Sequence, residues 1–439
     1  MQRRAVLQLL AGALLLKPRS VFDLDLDLGR AQASAPERTR AAEGFLDDMQ
    51  RRGCLYFSEQ VGAASGQVLD RAFAIATPLH LEAARDPRIS ASIAATGFGL
   101  SALCIADYRG YAPRAKILAQ VRRTLRFHLH HLPHEHGFLY HFNDVETGAA
   151  LPGSEVSPID TALFLCGALT ARAHFHADRE IVDLATRLYE RVDWPWMQDG
   201  GPTLAMGWRD GKFLASRWNH YCELMLLYLL AIGSPTHPIA AAAWHAFARP
   251  RIRYAGFDYI GADDPLFVHQ YSHAWFDFAH QRDQYADYFA NSVAATRAHK
   301  AFCLALGKPY GDDYWGISAS DSAGGYTAWG GPAGSGEGFG GIDGSVVPCA
   351  AAGSLPFAPA ACLRVLMALK AHHPKAYGRY GFCDALHPDA GWYDADVLGI
   401  DLGIGVLMAE NLRTGFLWKT FARNPEVGIA LQRAGFRKV

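Results

Sequence analysis

The feature that most constrains the fold of this chain is a succession of apolar segments with helical periodicity. Apolar residues recur at three- and four-residue spacing in ten segments, each of which predicts a helix. Segments that alternate apolar and polar residues, as strands do, are scarce. The sequence therefore predicts an all-α protein, with helices over residues 41–59, 92–108, 114–131, 158–175, 181–192, 219–232, 239–248, 285–306, 358–372 and 402–413.

The intervals between these helices are long and rich in glycine and aromatic residues. No low-complexity linker divides the chain, and 50% of its residues are hydrophobic, which is enough to bury a large core. We expect residues 36–439 to form one domain in which helical pairs wind into a closed (α/α)6 toroid. Such a fold brings its long loops to one mouth, where a rigid scaffold positions functional residues.

The first 35 residues have the layout of an export signal. Arg3 and Arg4 precede an apolar run at residues 5–16, and small residues follow at 31–35. The run is too short to form a stable membrane anchor. Paired arginines favour the twin-arginine route, although an ordinary signal has a similar layout. We expect the export machinery to be a partner of this segment, and the mature protein to be periplasmic or secreted.

Charge and metal-ligand patterns exclude several other classes. A net charge of −1 provides no basic surface for nucleic acid. None of the eight cysteines forms a CxxC pair and most lie in apolar runs, which favours small buried hydrophobes over disulfides. Five histidines crowd residues 128–136, but Pro133 breaks helical pairing among them and no carboxylate or cysteine set completes a tetrahedral site. We predict neither a metal nor a cofactor.

Several loops combine an acid or histidine with an aromatic residue and with a glycine or proline that fixes the backbone. Aromatic faces pack against sugar rings, and carboxylates bind hydroxyl groups, so a set of such loops suits a sugar-binding mouth. One is GFLYHFNDVETG at residues 137–148. Another is SEVSPID at residues 154–160, where Pro158 after Ser157 indicates a helix start and leaves Asp160 in the first turn. Further loops are HQYSHAWFDF (269–278), WGISASDSAGGY (315–326), DGSVVP (343–348), GSLPFAP (353–359) and YGFCDAL (380–386).

Two carboxylates stand where apolar helical runs begin. Asp401 precedes Gly403, Gly405 and an apolar run, and a helix N-terminus would favour its charged form, as a general base requires. An ordinary N-cap aspartate is the alternative. Glu223 precedes the apolar run of residues 224–232, where a raised pKa would suit a general acid, and a solvated glutamate is the alternative.

Taken in order, these motifs resemble the bacterial glycoamylase-like family, α/α-toroid glycoside hydrolases that include endo-β-1,2-glucanases. The resemblance runs from about residue 41 to residue 436. It is carried by GFLYHF, IDTALFLCGAL, LLYLLAIGSPTHPI, QYSHAWFDF, DYFANSVAAT, WGISASDS, DGSVVPCAAAGSLPFAP, YGFCDAL and GIDLG…ENLRTGFLWK. It implies hydrolysis of a glucan, above all a β-1,2-glucan, by two carboxylates that flank the glycosidic bond.

The resemblance also implies roles for particular residues. Glu223 and Asp401 are the leading catalytic candidates, and we expect Glu223 to be the acid and Asp401 the base of an inverting reaction, with the reverse assignment open. Asp144 and Asp160 correspond to secondary candidates for catalysis or sugar binding. Expected sugar contacts are Tyr140, His273, Trp275, Trp315, Asp321, Asp343 and Arg413.

The chain departs from the family pattern at two places. It reads GIDLGI where the family usually reads GIDQGP, so Leu402 and Ile404 replace a glutamine and a proline, and it reads YCE where an Asn-Glu pair is more usual. These departures are compatible with a changed glucan or a weakened enzyme.

Two other function classes stay open. A polysaccharide lyase on a similar toroid would need a tyrosine or histidine base and an acidic polymer, which the near-zero net charge disfavours. A non-catalytic glycan-binding protein would have no need of the two acids.

Overall fold

The computed structural model describes residues 35–74, 89–262, 265–332 and 341–439, which form fourteen α-helices. The predicted export signal lies outside these residues apart from Ala35, with which the first helix begins. The helices are α1 (Ala35–Glu59), α2 (Ile93–Arg109), α3 (Arg114–His130), α4 (Pro158–His174), α5 (Arg179–Glu190), α6 (Trp194–Gln198), α7 (Met225–Gly233), α8 (Tyr271–Trp275), α9 (Tyr288–Leu306), α10 (Pro348–Gly353), α11 (Pro359–His372), α12 (Gly399–Thr414), α13 (Phe416–Phe421) and α14 (Pro425–Arg433).

Six of these helices form an inner ring in the described part of the chain. Helix α2 packs on α4, α4 on α7 and α7 on α8, and the 3-10 helix Leu266–His269 connects α8 to α10. The ring continues from α10 to α12 and closes where α12 packs on α2. Helices α1, α3, α5, α9, α11 and α14 pack around it as an outer layer. The predicted all-α (α/α)6 toroid is confirmed.

The two layers differ in their sequence pattern because they differ in burial. Every residue of α7 and α8 is buried, and α2 and α4 are buried along nearly their whole length, so the inner helices lack a polar face. The outer helix α5 buries a single stripe at three- and four-residue spacing: Ile181, Leu184, Ala185, Leu188 and Tyr189. This contrast explains why hydrophobic periodicity is clearest in the outer layer.

Helices α2 and α4 approach unusually closely, and two glycines allow it. A Cβ atom on Gly97 would collide with the carbonyl oxygen of Leu163, and a Cβ atom on Gly167 would collide with that of Gly97. Any larger residue at either position requires the two backbones to move apart.

The loops, as far as the structure describes them, contain twenty strands of two to four residues, paired antiparallel in ten two-stranded sheets. Most pairs are local, but β1 joins the loop before α2 to the loop before α12, with Phe73 opposite Asp396. The pairs are β1 (Arg71–Phe73) with β19 (Asp396–Leu398), β2 (Ser90–Ser92) with β5 (Phe142–Asp144), β3 (His134–Glu135) with β4 (Phe138–Leu139), β6 (Leu204–Ala205) with β9 (Arg217–Trp218), β7 (Trp208–Arg209) with β8 (Lys212–Phe213), β10 (Arg251–Tyr254) with β11 (Phe257–Ile260), β12 (Gln281–Arg282) with β20 (Arg437–Lys438), β13 (Ala319–Ser320) with β14 (Thr327–Ala328), β15 (Tyr377–Gly378) with β16 (Gly381–Phe382), and β17 (Leu386–His387) with β18 (Trp392–Tyr393).

The predicted helix over residues 239–248 was wrong. That segment contains only a 3-10 helix, Ala241–His245, which buries Ala243 and Trp244 and therefore lacks the apolar stripe that packing stabilises. The helix predicted from residue 219 begins at Met225, so Glu223 lies two residues before it.

All eight cysteines are buried and none forms a disulfide, as the prediction of small buried hydrophobes required. Among the described residues, no helix has the length and apolar character that a membrane span needs.

Candidate active site

A cavity of about 470 Å³ lies at the end of the ring where the inner helices begin. This volume falls in the range of roughly 300–1,000 Å³ that is typical of small-molecule sites. The long loops thus meet at one mouth of the ring, as the toroid predicts. Its lining includes residues at or near the first turns of α2, α4, α7, α8 and α12: Ser92, Asp160, Glu223, Tyr271 and Asp401.

Three of the four predicted catalytic residues, Asp160, Glu223 and Asp401, line this cavity together. Tyr271 lies near two of them: burial raises the pKa of its hydroxyl well above the usual value, and the charges of Asp401 and Glu223 raise it further. The backbone carbonyl of Glu223 accepts a hydrogen bond of 2.8 Å from Ser272 Oγ, which ties the segment before α7 to α8. Glu223 and Asp401 therefore border one common space, as a catalytic pair must.

Asp401 is the third residue of α12, in its first turn. The helix begins at Gly399, and Leu398 occupies the N-cap position, so Asp401 is not the N-cap residue that the alternative interpretation proposed. Its side chain is 7% exposed.

The electrostatics of Asp401 differ from the expectation of a helix dipole that keeps the acid ionised. Burial raises the pKa of Asp401 to about 6, hydrogen bonds with Asp384 and Cys349 lower it, and the charges of Asp70 and Asp321 raise it. Desolvation thus outweighs the helix dipole. The carboxylate is mostly ionised at neutral pH and takes up a proton in mildly acidic solution.

Asp160 lies in the first turn of α4, as the sequence predicted, and belongs to a charged cluster. Ser157 Oγ caps the helix and donates to Asp160 Oδ2 at 2.5 Å. His141 Nε2 lies 3.7 Å from Asp160 Oδ2, and its Nδ1 lies 3.0 Å from Glu155 Oε1. Burial alone would lower the pKa of His141, but Asp160 and Glu155 raise it to about 9. His141 is therefore a cation in the cavity wall at neutral pH.

A second charged cluster is centred on Arg71 of β1. Its Nη1 lies 2.7 Å from Asp321 Oδ2 and 3.8 Å from Asp396 Oδ2, and its Nε lies 3.4 Å from Asp70 Oδ2. Asp70 and Arg71 line the cavity, whereas Asp321, a predicted sugar contact, is outside the lining and pairs with Arg71. Sequence reasoning missed Asp70 and Arg71, because the acids Asp321 and Asp396 that complete the cluster around Arg71 lie about 250 or more residues away in the chain.

The aromatic wall of the cavity consists of Phe142, Phe267, Tyr271 and Tyr326. Tyr326 stands at the start of the β13–β14 hairpin's second arm and is 54% exposed. A ring that is open to solvent beside a polar cavity suits stacking against a sugar.

The predicted aromatic contacts Trp275 and Trp315 are not in the cavity lining. Both are fully buried, and Trp275 donates from Nε1 to Ser101 Oγ at 2.9 Å and packs against Phe98. They fill the core because the inner ring leaves no room for solvent at these positions.

Three other predicted residues lie in loops outside the cavity lining. Asp144 Oδ1 accepts a 2.7 Å hydrogen bond from the backbone N–H of Thr147, and Asp343 Oδ1 accepts one of 2.7 Å from that of Ser345. Both aspartates stabilise turns. Tyr140 is half-buried, and its backbone forms a bridge with Val156.

His273 and Arg413 also have structural surroundings. His273 is 1% exposed, its Nε2 lies 3.0 Å from Ser292 Oγ, and burial lowers its pKa to about 3. Arg413 lies in the last turn of α12, at the end opposite Asp401, and forms ion pairs with Glu43 and Asp47 of α1. Twelve residues at ~1.5 Å each separate Arg413 from Asp401 along the helix axis, so it is remote from the cavity.

A second cavity of about 30 Å³ lies behind Asp401, and Leu402, Cys349 and Asp384 contribute to its lining. The departure at Leu402 therefore borders this small cavity rather than the large one, and Ile404 is fully buried. Neither residue is in the lining of the large cavity, so these departures leave unchanged the wall against which a substrate would lie.

The absence of a metal stays a prediction. Two groups of three side chains hold ligand atoms within 4.8 Å of one another: His141, Glu155 and Asp160, and Asp321, Asp384 and Asp394. In the first group the imidazole is protonated, which leaves no lone pair for a metal. In the second, Asp321 is already paired with Arg71. We assign a metal to neither group.

Residues 215–425 match the sequence family described as "Putative glucoamylase". An exo-β-1,2-glucooligosaccharide sophorohydrolase (non-reducing end) from Parabacteroides distasonis is 26% identical over 387 residues, covering 77% of this chain and 52% of that protein. The chain thus spans about half the length of this relative.

Solved structures give a similar result. An endo-β-1,2-glucanase from Chitinophaga pinensis in complex with sophorotriose and glucose superposes with a TM-score of 0.82 at 27% identity, covering 90% of this chain and 99% of that one. A structure from Bacteroides caccae described as a putative glucoamylase superposes with a TM-score of 0.82 at 29% identity, covering 91% and 100%.

The chain is an α/α-toroid protein with carboxylates at one mouth of its ring, and its fold is similar to those of these two solved structures. The resemblance to the bacterial glycoamylase-like family that the motifs indicated is confirmed by the family model, the curated relative and the solved structures.

Proposed function

We propose that this protein is a glycoside hydrolase that cleaves β-1,2-glucan in the cavity at the N-terminal ends of its inner helices. The observation that carries this proposal is the convergence of Asp160, Glu223 and Asp401 on one aromatic-walled cavity. The substrate class is supported by the relatives, two of which are named for action on β-1,2-glucan or its oligosaccharides.

In the proposed reaction, Glu223 is the general acid and Asp401 is the general base. Asp401 takes a proton from water as the water oxygen attacks the anomeric carbon, and the bond from that carbon to the glycosidic oxygen breaks. Glu223 gives its proton to the departing oxygen. An inverting outcome requires the two carboxyl groups to stand roughly 6.5–9.5 Å apart, so that the water fits beside the sugar.

The other charged residues bind and orient the sugar in this proposal. The His141 cation and the Arg71 guanidinium offer N–H donors to hydroxyl groups, and Asp70 and Asp160 offer acceptors. Tyr326 supplies a face on which a glucose ring stacks.

The test is product analysis with purified protein on linear β-1,2-glucan, cyclic β-1,2-glucan and starch. We expect short β-1,2-linked oligosaccharides from the first substrate and none from starch. Glu223→Gln and Asp401→Asn should each lower the rate by about 10²–10⁴-fold, the usual contribution of a general acid or base.

Asp144→Asn is the matched control, because Asp144 is an acid of the same loop set that caps a turn outside the cavity lining. It should retain the wild-type rate. Unsaturated ends that absorb ultraviolet light would instead indicate a lyase, and binding of β-1,2-glucan without new reducing ends would indicate a non-catalytic protein.

The stereochemical outcome has its own measurement. Proton NMR of the first products should show the α-anomer at the new reducing end before mutarotation, as inversion of a β-linkage requires. An initial β-anomer would indicate a retaining reaction, in which a carboxylate such as that of Asp401 acts as a nucleophile instead of activating water.

Export of the chain is part of the proposal. The pattern of residues 1–35 supports a periplasmic or secreted protein that leaves by the twin-arginine route. Fractionation of cells that express the full chain should find it outside the cytoplasm, and replacing Arg3 and Arg4 by lysine should retain it inside. Unchanged export of this variant would point to an ordinary signal.

A further inference from the structure

Asp384 is a buried acid next to the candidate site that no motif-based role accounts for. It lies in the YGFCDAL segment between β16 and β17 and is 3% exposed. Its Oδ2 accepts a hydrogen bond of 2.7 Å from the backbone N–H of Asp321. Its Oδ1 is buried and receives no hydrogen bond from any described N–H or O–H group.

The carboxyl group of Asp384 is in hydrogen-bonding contact with that of Asp401. Asp401 Oδ2 is likewise buried without a donor among the described residues. Ionised carboxylates only accept hydrogen bonds, so two of them in contact and out of water repel each other. A hydrogen bond between them therefore requires one proton, which one carboxyl group holds and donates to the other.

The surroundings of the pair add negative rather than positive charge. The neighbouring charged cluster contains the cation Arg71, but its guanidinium already contacts Asp70, Asp321 and Asp396. The titratable and charged groups that face the pair from neighbouring segments are Asp70, Arg71, Glu223, Tyr271, Asp321, Tyr326, Cys349, Asp394 and Asp396. Such a setting favours retention of the shared proton.

We propose that Asp384 is a positioning residue that holds a proton at neutral pH and donates it in a hydrogen bond to Asp401. One oxygen of Asp401 is thereby fixed, and the other is left to accept a proton from water in the large cavity. Asp384 contributes to the lining of the small cavity behind Asp401 but is not part of the described lining of the large one, so it acts through Asp401. The inference rests on the proposed function for its catalytic meaning.

The burial of the two acids supports the direction of this donation. Burial raises the pKa of Asp384 well above its usual range, and the neighbouring Asp401 raises it further, whereas the pKa of Asp401 is raised only to about 6. The Cys349 thiol is a second contact of Asp401 on this side. Together these two groups orient the carboxylate from behind.

The decisive variants are Asp384→Asn and Asp384→Ala. The amide reproduces the protonated acid, because its oxygen accepts from the Asp321 N–H while its NH₂ donates to Asp401. We expect kcat of Asp384→Asn to stay within roughly fivefold of wild type, because a single neutral hydrogen bond is altered by about 1 kcal/mol. The acidic limb of its pH–rate profile, where protonation of Asp401 lowers kcat, should stay at the wild-type pH.

Asp384→Ala removes the donor, so kcat should fall by about 10–100-fold at an unchanged KM, and the acidic limb should move to higher pH. A shift of this limb to lower pH in both variants would mean that Asp384 is ionised and would overturn the proposal. An equal loss in both variants with a lowered melting temperature would also overturn it, as the role would be structural.

An infrared measurement tests the proton without reference to activity. The wild-type minus Asp384→Asn difference spectrum at neutral pH should contain the carbonyl band of one protonated carboxyl group, and Glu223→Gln should keep that band. If the band is present but the protein does not hydrolyse β-1,2-glucan, the shared proton of the carboxyl pair would be supported and the proposed function would be refuted. A missing band refutes the shared proton.

Calcium titration of dialysed protein completes the test. Calcium binding that Asp384→Asn abolishes would mean that a bound cation, rather than a proton, neutralises the negative charge of the pair, and this would overturn the proposal.

Discussion

The two ends of α12 each carry a buried acid, and the acids are partnered in opposite ways. Glu410, near the C-terminal end, is fully buried and receives paired 2.9 Å hydrogen bonds from Arg109, with another of 2.9 Å from Gln50. Asp401, near the N-terminal end, contacts the acid Asp384 and keeps one oxygen without a described donor.

This difference teaches how a buried acid is recognised as functional. A carboxylate whose oxygens are all satisfied by cations and amides stabilises the fold and has no capacity left for a substrate. A carboxylate surrounded by like charge is costly to the fold, and it remains able to exchange a proton. On the proposed function, Glu410 at one end of α12 therefore serves stability, and Asp401 at the other end serves catalysis.

The sharpest way to break this comparison is to neutralise each acid in turn. Asp401→Asn should lower the hydrolysis rate by about 10²–10⁴-fold and leave the melting temperature at neutral pH at or above that of wild type. Glu410→Gln should lower the melting temperature and leave kcat of the folded fraction nearly unchanged. Initial rates and thermal unfolding of the same preparations provide both readouts. Loss of activity in Glu410→Gln at temperatures where it is fully folded would contradict the division.

Truncation of Glu410 measures the structural end directly. Glu410→Ala should cost about 3–5 kcal/mol in the free energy of unfolding, because the Arg109 guanidinium loses its partner while it is mostly buried. Asp183→Ala is the control, since Asp183 forms an exposed ion pair with Arg187 on α5 that is worth about 0–1 kcal/mol. Denaturant titration distinguishes the two, and equal effects would refute the assignment.

The pH dependence sharpens the comparison at the other end. The folded-state pKa of Asp401 is about 6 against an ordinary value of 3.8, so the folded protein binds more protons than the unfolded chain between these values. Its contribution to stability is therefore present at low pH and is lost as the pH rises through about 6, whereas activity rises over the same interval. The wild-type free energy of unfolding should fall relative to Asp401→Asn between pH 5 and pH 7.5. Parallel stability curves would contradict the raised pKa.

A smaller effect is expected at the aromatic rim. Tyr326→Ala should raise KM by roughly 2–12-fold, corresponding to about 0.5–1.5 kcal/mol of lost ring contact, with little change in kcat. Tyr326→Phe keeps the ring and should be close to wild type. Tyr108→Ala is the matched control, because Tyr108 is 50% exposed near the C-terminal end of α2, at the other end of the ring. Equal KM values for Tyr326→Ala and Tyr108→Ala would remove Tyr326 from the site.

The smallest effect is expected for Arg413, the sugar contact that the resemblance suggested. Arg413→Lys retains a charge opposite Glu43 and Asp47, and its KM should equal that of wild type within error. A raised KM in steady-state kinetics would restore Arg413 to substrate binding and would show that the C-terminal end of α12 also serves chemistry.

The sequence was informative where physical signals are local. Helical periodicity predicted the toroid, and the Ser157-Pro158 pair placed Asp160 in the first turn of α4, because capping depends on neighbouring residues. Family motifs led to Glu223 and Asp401, which the structure brings to one cavity.

Signals that depend on distant parts of the chain were missed. Trp275 and Trp315 have the residue type expected at a sugar site, yet whether a tryptophan lines a cavity or fills the core depends on inner-ring packing that no local pattern contains. Arg71 and Asp384 gain their surroundings from segments that are more than 60 residues away. Their roles could therefore emerge only from the folded arrangement.

The closure of the inner ring has a consequence for how the molecule matures during synthesis. Helix α12 completes the ring by packing on α2, which lies about 300 residues earlier in the chain. Asp401 is part of α12, so a nascent chain carries Asp160 and Glu223 long before the last wall of the cavity exists. Contacts of such sequence separation form late, because the intervening chain must first be ordered. On the proposed function, the site would therefore become competent only after α12 has been synthesised and has packed on α2.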